Sequence, residues 1–200
     1  MADTTLQGTM MLDRELLQQK HESGATYPDY VAKGDEHQRQ RWNEIYEQVS
    51  LTKSQRELIG GFTRTMRITV LSGLWCGDCV AQCPLLARIA EANPERLDVR
   101  FLDRDEHDDL AERVAINGGL RVPTFIFAAE DHVFCGLFGD KTLTRYRASA
   151  EKQLGASCPL PGAPVPTEEL EATLRDLLDE CERIHLMLRL SPRLREKHAD

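Results

Sequence analysis

The sequence predicts an α/β protein, a central mixed β-sheet flanked by helices, with helical extensions at both ends. Three observations carry that expectation. Between residues 62 and 154, short runs of β-favouring residues alternate with stretches of helical periodicity. Residues 1–61 are polar, with apolar positions at helical spacing. Residues 167–200 hold a single apolar stripe that fits one long amphipathic helix followed by a short basic one.

In the N-terminal extension the apolar positions are Leu12, Leu16 and Leu17, then Trp42, Ile45, Tyr46 and Val49. Gly24, Pro28 and Gly34 interrupt the pattern, so several short helices are expected rather than one. Ser54-Gln55-Arg56-Glu57 reads as a capping box opening a helix that stops at Gly60-Gly61. The segment cannot bury its apolar residues alone, so it is expected to pack on the central domain.

The central domain, residues 62–154, opens with a strand over 66–72 and a helix over 79–92, whose apolar positions include Leu85, Leu86, Ile89 and Ala90. Asn93-Pro94 ends that helix. A second strand over 97–103 and a helix over 108–116 follow, closed by Asn117-Gly118-Gly119. Strands over 124–128 and 133–137 pair across the turn at Glu130-Asp131, and a helix occupies 141–154. A strand–helix–strand order requires a parallel pair with a right-handed crossover, and the hairpin then makes the sheet mixed. Residues 155–166 are rich in Pro and Gly and read as a linker. Thr167 caps the last long helix, with Glu168 and Glu169 in its first turn. Leu170, Leu174, Leu177, Leu178, Cys181, Ile184 and Leu188 form its apolar face. Ser191-Pro192 starts the basic helix that runs to His198. The stripe is expected to dock on the chain itself; a homodimer through this helix is the alternative use.

The chemistry concentrates in Trp75-Cys76-Gly77-Asp78-Cys79, placed between the first strand and its helix. Two cysteines two residues apart can close a small disulfide, or act as nucleophile and resolving partner. At a helix start, unpaired N–H groups and the dipole stabilise a thiolate on the first of them. This is an arrangement for thiol–disulfide exchange.

Composition narrows the rest. A net charge of −8 over 200 residues argues against nucleic-acid binding, and no apolar run is long enough for a membrane helix. The first residues lack the basic start and apolar core of a signal peptide, which predicts a cytoplasmic location. In that compartment six cysteines are not expected to form a disulfide framework. Cys76, Cys79 and Cys83 with His107 or Cys135 would make four metal ligands, but zinc sites usually draw on two ligand pairs and only one is visible. Cys83, Cys135 and Cys181 therefore read as core residues and Cys158 as an exposed thiol. The acidic run from Asp103 to Asp109 reads as a solvated loop in which Asp105 or Asp108 caps the next helix. No metal and no organic cofactor are expected.

Trp-Cys-Gly-x-Cys, Pro84 in the following helix and Val122-Pro123-Thr124 before the hairpin together resemble the thioredoxin superfamily. With Asp78 in the motif and Arg104-Asp105 after the second strand, the chain looks most like a bacterial thioredoxin-like subgroup. The resemblance implies that Cys76 attacks a substrate disulfide and Cys79 resolves the mixed disulfide. It implies a cis bond at Val122-Pro123 whose backbone pairs with an extended substrate, while Trp75 adds apolar surface and Gly77 and Asp78 complete the motif. It further implies a protein disulfide as substrate and a reductase or small thiol as electron donor. Three positions depart from the family, and at two of them Val70 and Val99 stand where it has a buried aspartate and lysine. Asp78 replaces its proline, and a carboxylate there is expected to repel a thiolate on Cys76, leaving the pair more reducing. The reading is a protein-disulfide reductase. Its rival is an adaptor module whose extensions recognise a partner and whose cysteines serve as a redox switch; an oxidase or isomerase would need a more oxidising pair.

Overall fold

The computed structural model describes residues 12–154 and 168–200. Its centre is a four-stranded sheet of order β2-β1-β3-β4, with β1 Met66–Ser72, β2 Leu97–Asp103, β3 Thr124–Ala129 and β4 Phe134–Gly139. Strands β1 and β2 run parallel, while β3 is antiparallel to both β1 and β4. Buried Ile68, Val70 and Leu71 of β1 and Phe125, Ile126 and Phe127 of β3 show why these central strands read as continuous apolar runs. Val70 lies opposite Phe101, so the position of the family's buried acid is apolar on both strands.

Four short helices precede the sheet: α1 Arg14–Ser23, α2 Tyr27–Ala32, α3 Glu36–Gln48 and α4 Lys53–Gly60. Each begins at a side chain that accepts a first-turn N–H: Asp13, Thr26, Asp35 and Thr52. The capping box of α4 is Thr52 with Gln55, two residues before the expected one, because Thr52 has the extended backbone an N-cap needs. These helices seal their side of the sheet with an aromatic cluster in which Tyr30 stacks on Phe101 and meets Trp42 edge-on. Trp42 is fully buried, a contribution of about 2–3 kcal/mol by area alone. Ala25 adds a single antiparallel bridge to Phe101 at the free edge of β2.

Helix α5, Gly77–Glu91, follows β1 and carries Pro84 within it. After β2 a 3-10 turn, Arg104–Glu106, leads to α6, Asp108–Arg113. Here the expected caps are wrong: Asp103 accepts the N–H of Asp105, and α6 starts at His107 with no side-chain cap. Helix α6 also ends three residues before the expected Ile116, since Asn117 and Gly118 adopt positive φ and turn the chain toward the hairpin.

Helix α7, Leu143–Leu154, starts after a loop pinned to α5. Buried Gln82 donates to the Asp140 carbonyl at 2.9 Å and accepts from Thr142 N–H at 3.0 Å. Helix α8, Glu169–Leu190, lays Leu174, Leu177, Leu178, Cys181, Ile184 and Leu188 against α5, α7 and β4, so its stripe is covered by its own chain. Helix α9, Pro192–His198, follows directly, and Ser191 makes no side-chain cap. Arg64, buried before β1, pairs with Asp200 and ties the C-terminus to the sheet. The expected linker, the Thr167 cap and Cys158 lie outside the described residues.

Candidate active site

The end of β1 delivers residues 73–76 onto the sheet's carboxyl edge, where the chain turns into α5. A β-carbon on Gly73 would lie 2.8 Å from the Trp75 ring, so glycine is what lets the indole fold back over the turn. Trp75 remains 49% exposed, and the Arg104 guanidinium sits 4.8 Å from its ring centroid. Behind the turn, Trp42 Nε1 donates to the Leu74 carbonyl at 3.1 Å, so α3 holds the loop from the side.

Cys76 is the N-cap of α5 and half-buried, while Cys79, one turn along, is fully buried. Both thiols are free. Cys76 Sγ lies 3.5 Å from the Val122 carbonyl. The Val122–Pro123 peptide is cis, and it runs beside the sulfur. The strand after it is held close from the other side: Gly139 has φ near 153°, and a β-carbon there would meet the Pro123 carbonyl at 2.5 Å.

Desolvation pushes the Cys79 thiol well above its ordinary value. Cys76 is raised first by its coupling to the Cys79 thiol and then by burial, whereas the N–H groups of Cys79 and Asp78 pull it down. Of the two sulfurs, Cys76 is the partly exposed one and the one the N–H groups face. Cys83 lies behind, fully buried, with the Ser72 hydroxyl 3.7 Å from its sulfur. Cys135 is half-buried on β4, and Cys181 is fully buried in the α8 face. Among the described residues no three His, Cys, Asp or Glu side chains group as metal ligands.

Asp78 is the residue whose surroundings sequence reasoning missed. Its two carboxylate oxygens take Lys141 Nζ at 2.7 Å and Arg145 Nη2 at 2.9 Å, and Arg145 continues to Glu169 at 2.7 Å. The expected repulsion of a Cys76 thiolate by Asp78 is therefore offset by two cations. Both come from the loop and helix after β4, more than sixty residues away, so no local motif announces them.

Trp75, Cys76, Gly77, Asp78, Cys79, Val122 and Pro123 thus converge on one edge of the sheet, joined by Arg104, Lys141 and Arg145 and by Arg41 of α3, whose Nη2 lies 3.9 Å from where a β-carbon on Gly77 would sit. The fold is shared with solved structures. A protein of unknown function from Pseudomonas aeruginosa aligns at TM-score 0.65 and 18% identity, over 86% of this chain and 99% of that one. An HIV epitope scaffold aligns at TM-score 0.64 and 18% identity, over 83% and 97%. No curated protein matches at a significant level. A family model described as Thioredoxin matches residues 24–141, more than half of the sequence, and the chain belongs to that family.

Proposed function

We propose that this protein is a thiol–disulfide oxidoreductase that reduces protein disulfides, with Cys76 as nucleophile and Cys79 as resolving thiol. The observation that carries the reading is the pairing of a half-buried Cys76 at a helix N-cap, against the Val122 carbonyl, with a fully buried Cys79 behind it. In the first step the Cys76 thiolate attacks one substrate sulfur; the substrate S–S bond breaks, a mixed disulfide forms, and the departing thiolate takes a proton. In the second, the Cys79 thiolate attacks Cys76 Sγ, its proton having left, and the second substrate thiol departs. Two electrons pass to the substrate, and Cys76–Cys79 ends as a disulfide. A reductase or small thiol then restores the dithiol.

The burial of the sulfurs supports this direction. A thiolate that the site does not stabilise strongly makes the dithiol a better reductant, and both thiols are raised here. Reduction suits a reducing compartment such as the cytosol. The Trp-Cys-Gly-Asp-Cys motif supports placement in a bacterial thioredoxin-like subgroup.

The test is reduction of insulin with dithiothreitol as donor. Turnover is expected to vanish in Cys76→Ser, and Cys79→Ser is expected to accumulate a mixed disulfide through Cys76. The reduction potential of the pair is expected near or below roughly −270 mV. Undiminished turnover in Cys76→Ser sinks the reading; a potential nearer roughly −120 to −180 mV reverses its direction.

A further inference from the structure

We infer that Arg41, on helix α3 of the N-terminal extension, binds a carboxylate of the substrate beside the disulfide that Cys76 attacks. The inference rests on the reading of Cys76 as nucleophile and adds the chemistry of what it attacks.

Three observations converge on it. First, Arg41 stands at the motif itself: a β-carbon on Gly77 would lie 3.9 Å from its Nη2, so the guanidinium borders the first residue of α5. The next residue, Trp42, is fixed by burial and by its bond to Leu74, which anchors the Arg41 backbone against the same loop. Second, Arg41 is only partly exposed and has no hydrogen bond or ion pair among the described residues. The other cations around the thiols are occupied: Arg104 pairs with Asp105, Arg121 with Asp140, and Lys141 and Arg145 with Asp78. Third, the carboxylate nearest in sequence, Asp78, has both oxygens taken by Lys141 and Arg145. It therefore does not answer Arg41, and its repulsion of an approaching anion is weakened by the two cations that hold it. A partly desolvated guanidinium without a partner favours the arrival of an anion, and a fork of N–H donors suits a carboxylate. Gly77 places no side chain in front of the guanidinium.

The substrate is then a disulfide carrying a carboxylate near its sulfurs, either a small acidic disulfide or a protein disulfide with an acidic neighbour. During attack the carboxylate stays on Arg41 and undergoes no chemistry. The S–S bond breaks, the Cys76–sulfur bond forms, and the released thiolate takes a proton, as in the reductase reading.

The experiment follows the fast reaction phase that is absent from Cys76→Ser, using three probes. These are dianionic 5,5'-dithiobis(2-nitrobenzoate), neutral 4,4'-dithiodipyridine and dicationic cystamine. The native protein is expected to favour the anion over the neutral probe, relative to a free thiol such as N-acetylcysteine amide. Arg41→Gln is expected to lower the ratio of the anionic to the neutral rate about tenfold, a ratio from which any common change in the reactivity of Cys76 cancels; Arg41→Lys should restore part of it. Salt at roughly 1 M should narrow the preference in the native protein. Glutathione disulfide and a disulfide peptide with Glu or Gln beside its cysteine separate the two sources. A preference confined to glutathione assigns the small disulfide, and a Glu-over-Gln preference assigns a protein. A preference that survives in Arg41→Gln, or its absence in the native protein, overturns the inference while leaving Cys76 as nucleophile. Failure of Cys76 to react with any probe removes the reductase reading and this inference with it.

Discussion

Arg145 grips Asp78 with two nitrogens, Nη2 at 2.9 Å and Nε at 3.3 Å from the same carboxylate oxygen. The contact joins the first turn of α5 to α7, and Glu169 of α8 extends it to the C-terminal module. The charge that reaches Cys76 is thus the sum of a carboxylate and the cations that hold it, with opposite consequences for removing either. Asp78→Asn removes one carboxylate from Lys141 and Arg145, which keep Asp140 and Glu169, and the net gain of positive charge stabilises a nearby thiolate and makes the pair more oxidising. Arg145→Met strengthens the carboxylate's field and makes it more reducing. The shifts are expected to be on the order of 10–20 mV each, with 30 mV corresponding to about 1.4 kcal/mol. Titration of both variants in glutathione buffers checks the pair; shifts of the same sign would refute the offset.

Gln82 does for the loop what Arg145 does for the charge. Fully buried, it satisfies the Thr142 N–H and donates to the Asp140 carbonyl, and it also donates to Asp78 C=O at 3.1 Å. Gln82→Leu keeps the volume but strands these backbone groups. A loss of about 2–4 kcal/mol is expected in denaturant unfolding, from the unpaired N–H and carbonyls. A cost under about 0.5 kcal/mol would mean that the loop re-forms its bonds with water.

The sheet and the placement of the cysteine pair were legible because their signals are local. Apolar β-favouring runs, a Cys-x-x-Cys at a strand–helix junction and Asn-Pro or Asn-Gly stops each sit within a few residues. The caps of α4 and of the 3-10 turn were misplaced by one or two positions because several Ser, Thr and Asp side chains compete there. Backbone geometry chooses among them, and the sequence does not record it. Arg41, Lys141 and Arg145 stayed hidden for another reason: each lies on an element packed against α5 from a distant part of the chain. Only the tertiary fold brings them to Asp78 and Gly77.

Thiol accessibility separates Cys76 from its buried counterparts. Burial pushes Cys181 up to about 12 in the interior face of α8, and Cys79 is raised by the same cause. At pH 8 a native-state pulse of iodoacetamide is expected to modify Cys76 well before either of these, because Cys76 is half-exposed while Cys79 and Cys181 are fully buried and out of the reagent's reach. Cys181 should become reactive only with unfolding. Mapping the modified peptides by mass spectrometry checks the order, and early alkylation of Cys181 would show that α8 opens on its own.

On the face of the sheet under α1, Asp98 meets basic side chains on three sides. His21 Nε2 lies 3.1 Å from it, Arg67 2.7 Å and Arg100 3.1 Å. His21 leads in holding the Asp98 carboxyl well below its usual range, with Arg100 adding to the effect and burial opposing it. A depressed carboxyl contributes stability that is present above its unfolded value, roughly pH 4, and is lost as pH falls through the folded value. Asp98→Asn is therefore expected to cost about 1–2 kcal/mol between pH 5 and 7. Below about pH 4 the gap to the native protein should narrow, because Asp98 of the unfolded chain takes up a proton there while the folded carboxyl, held lower, stays ionised. Urea unfolding of both proteins across this range checks it. A gap that stays constant down to about pH 2 would show that the cost of the substitution is packing, with no contribution from the charge.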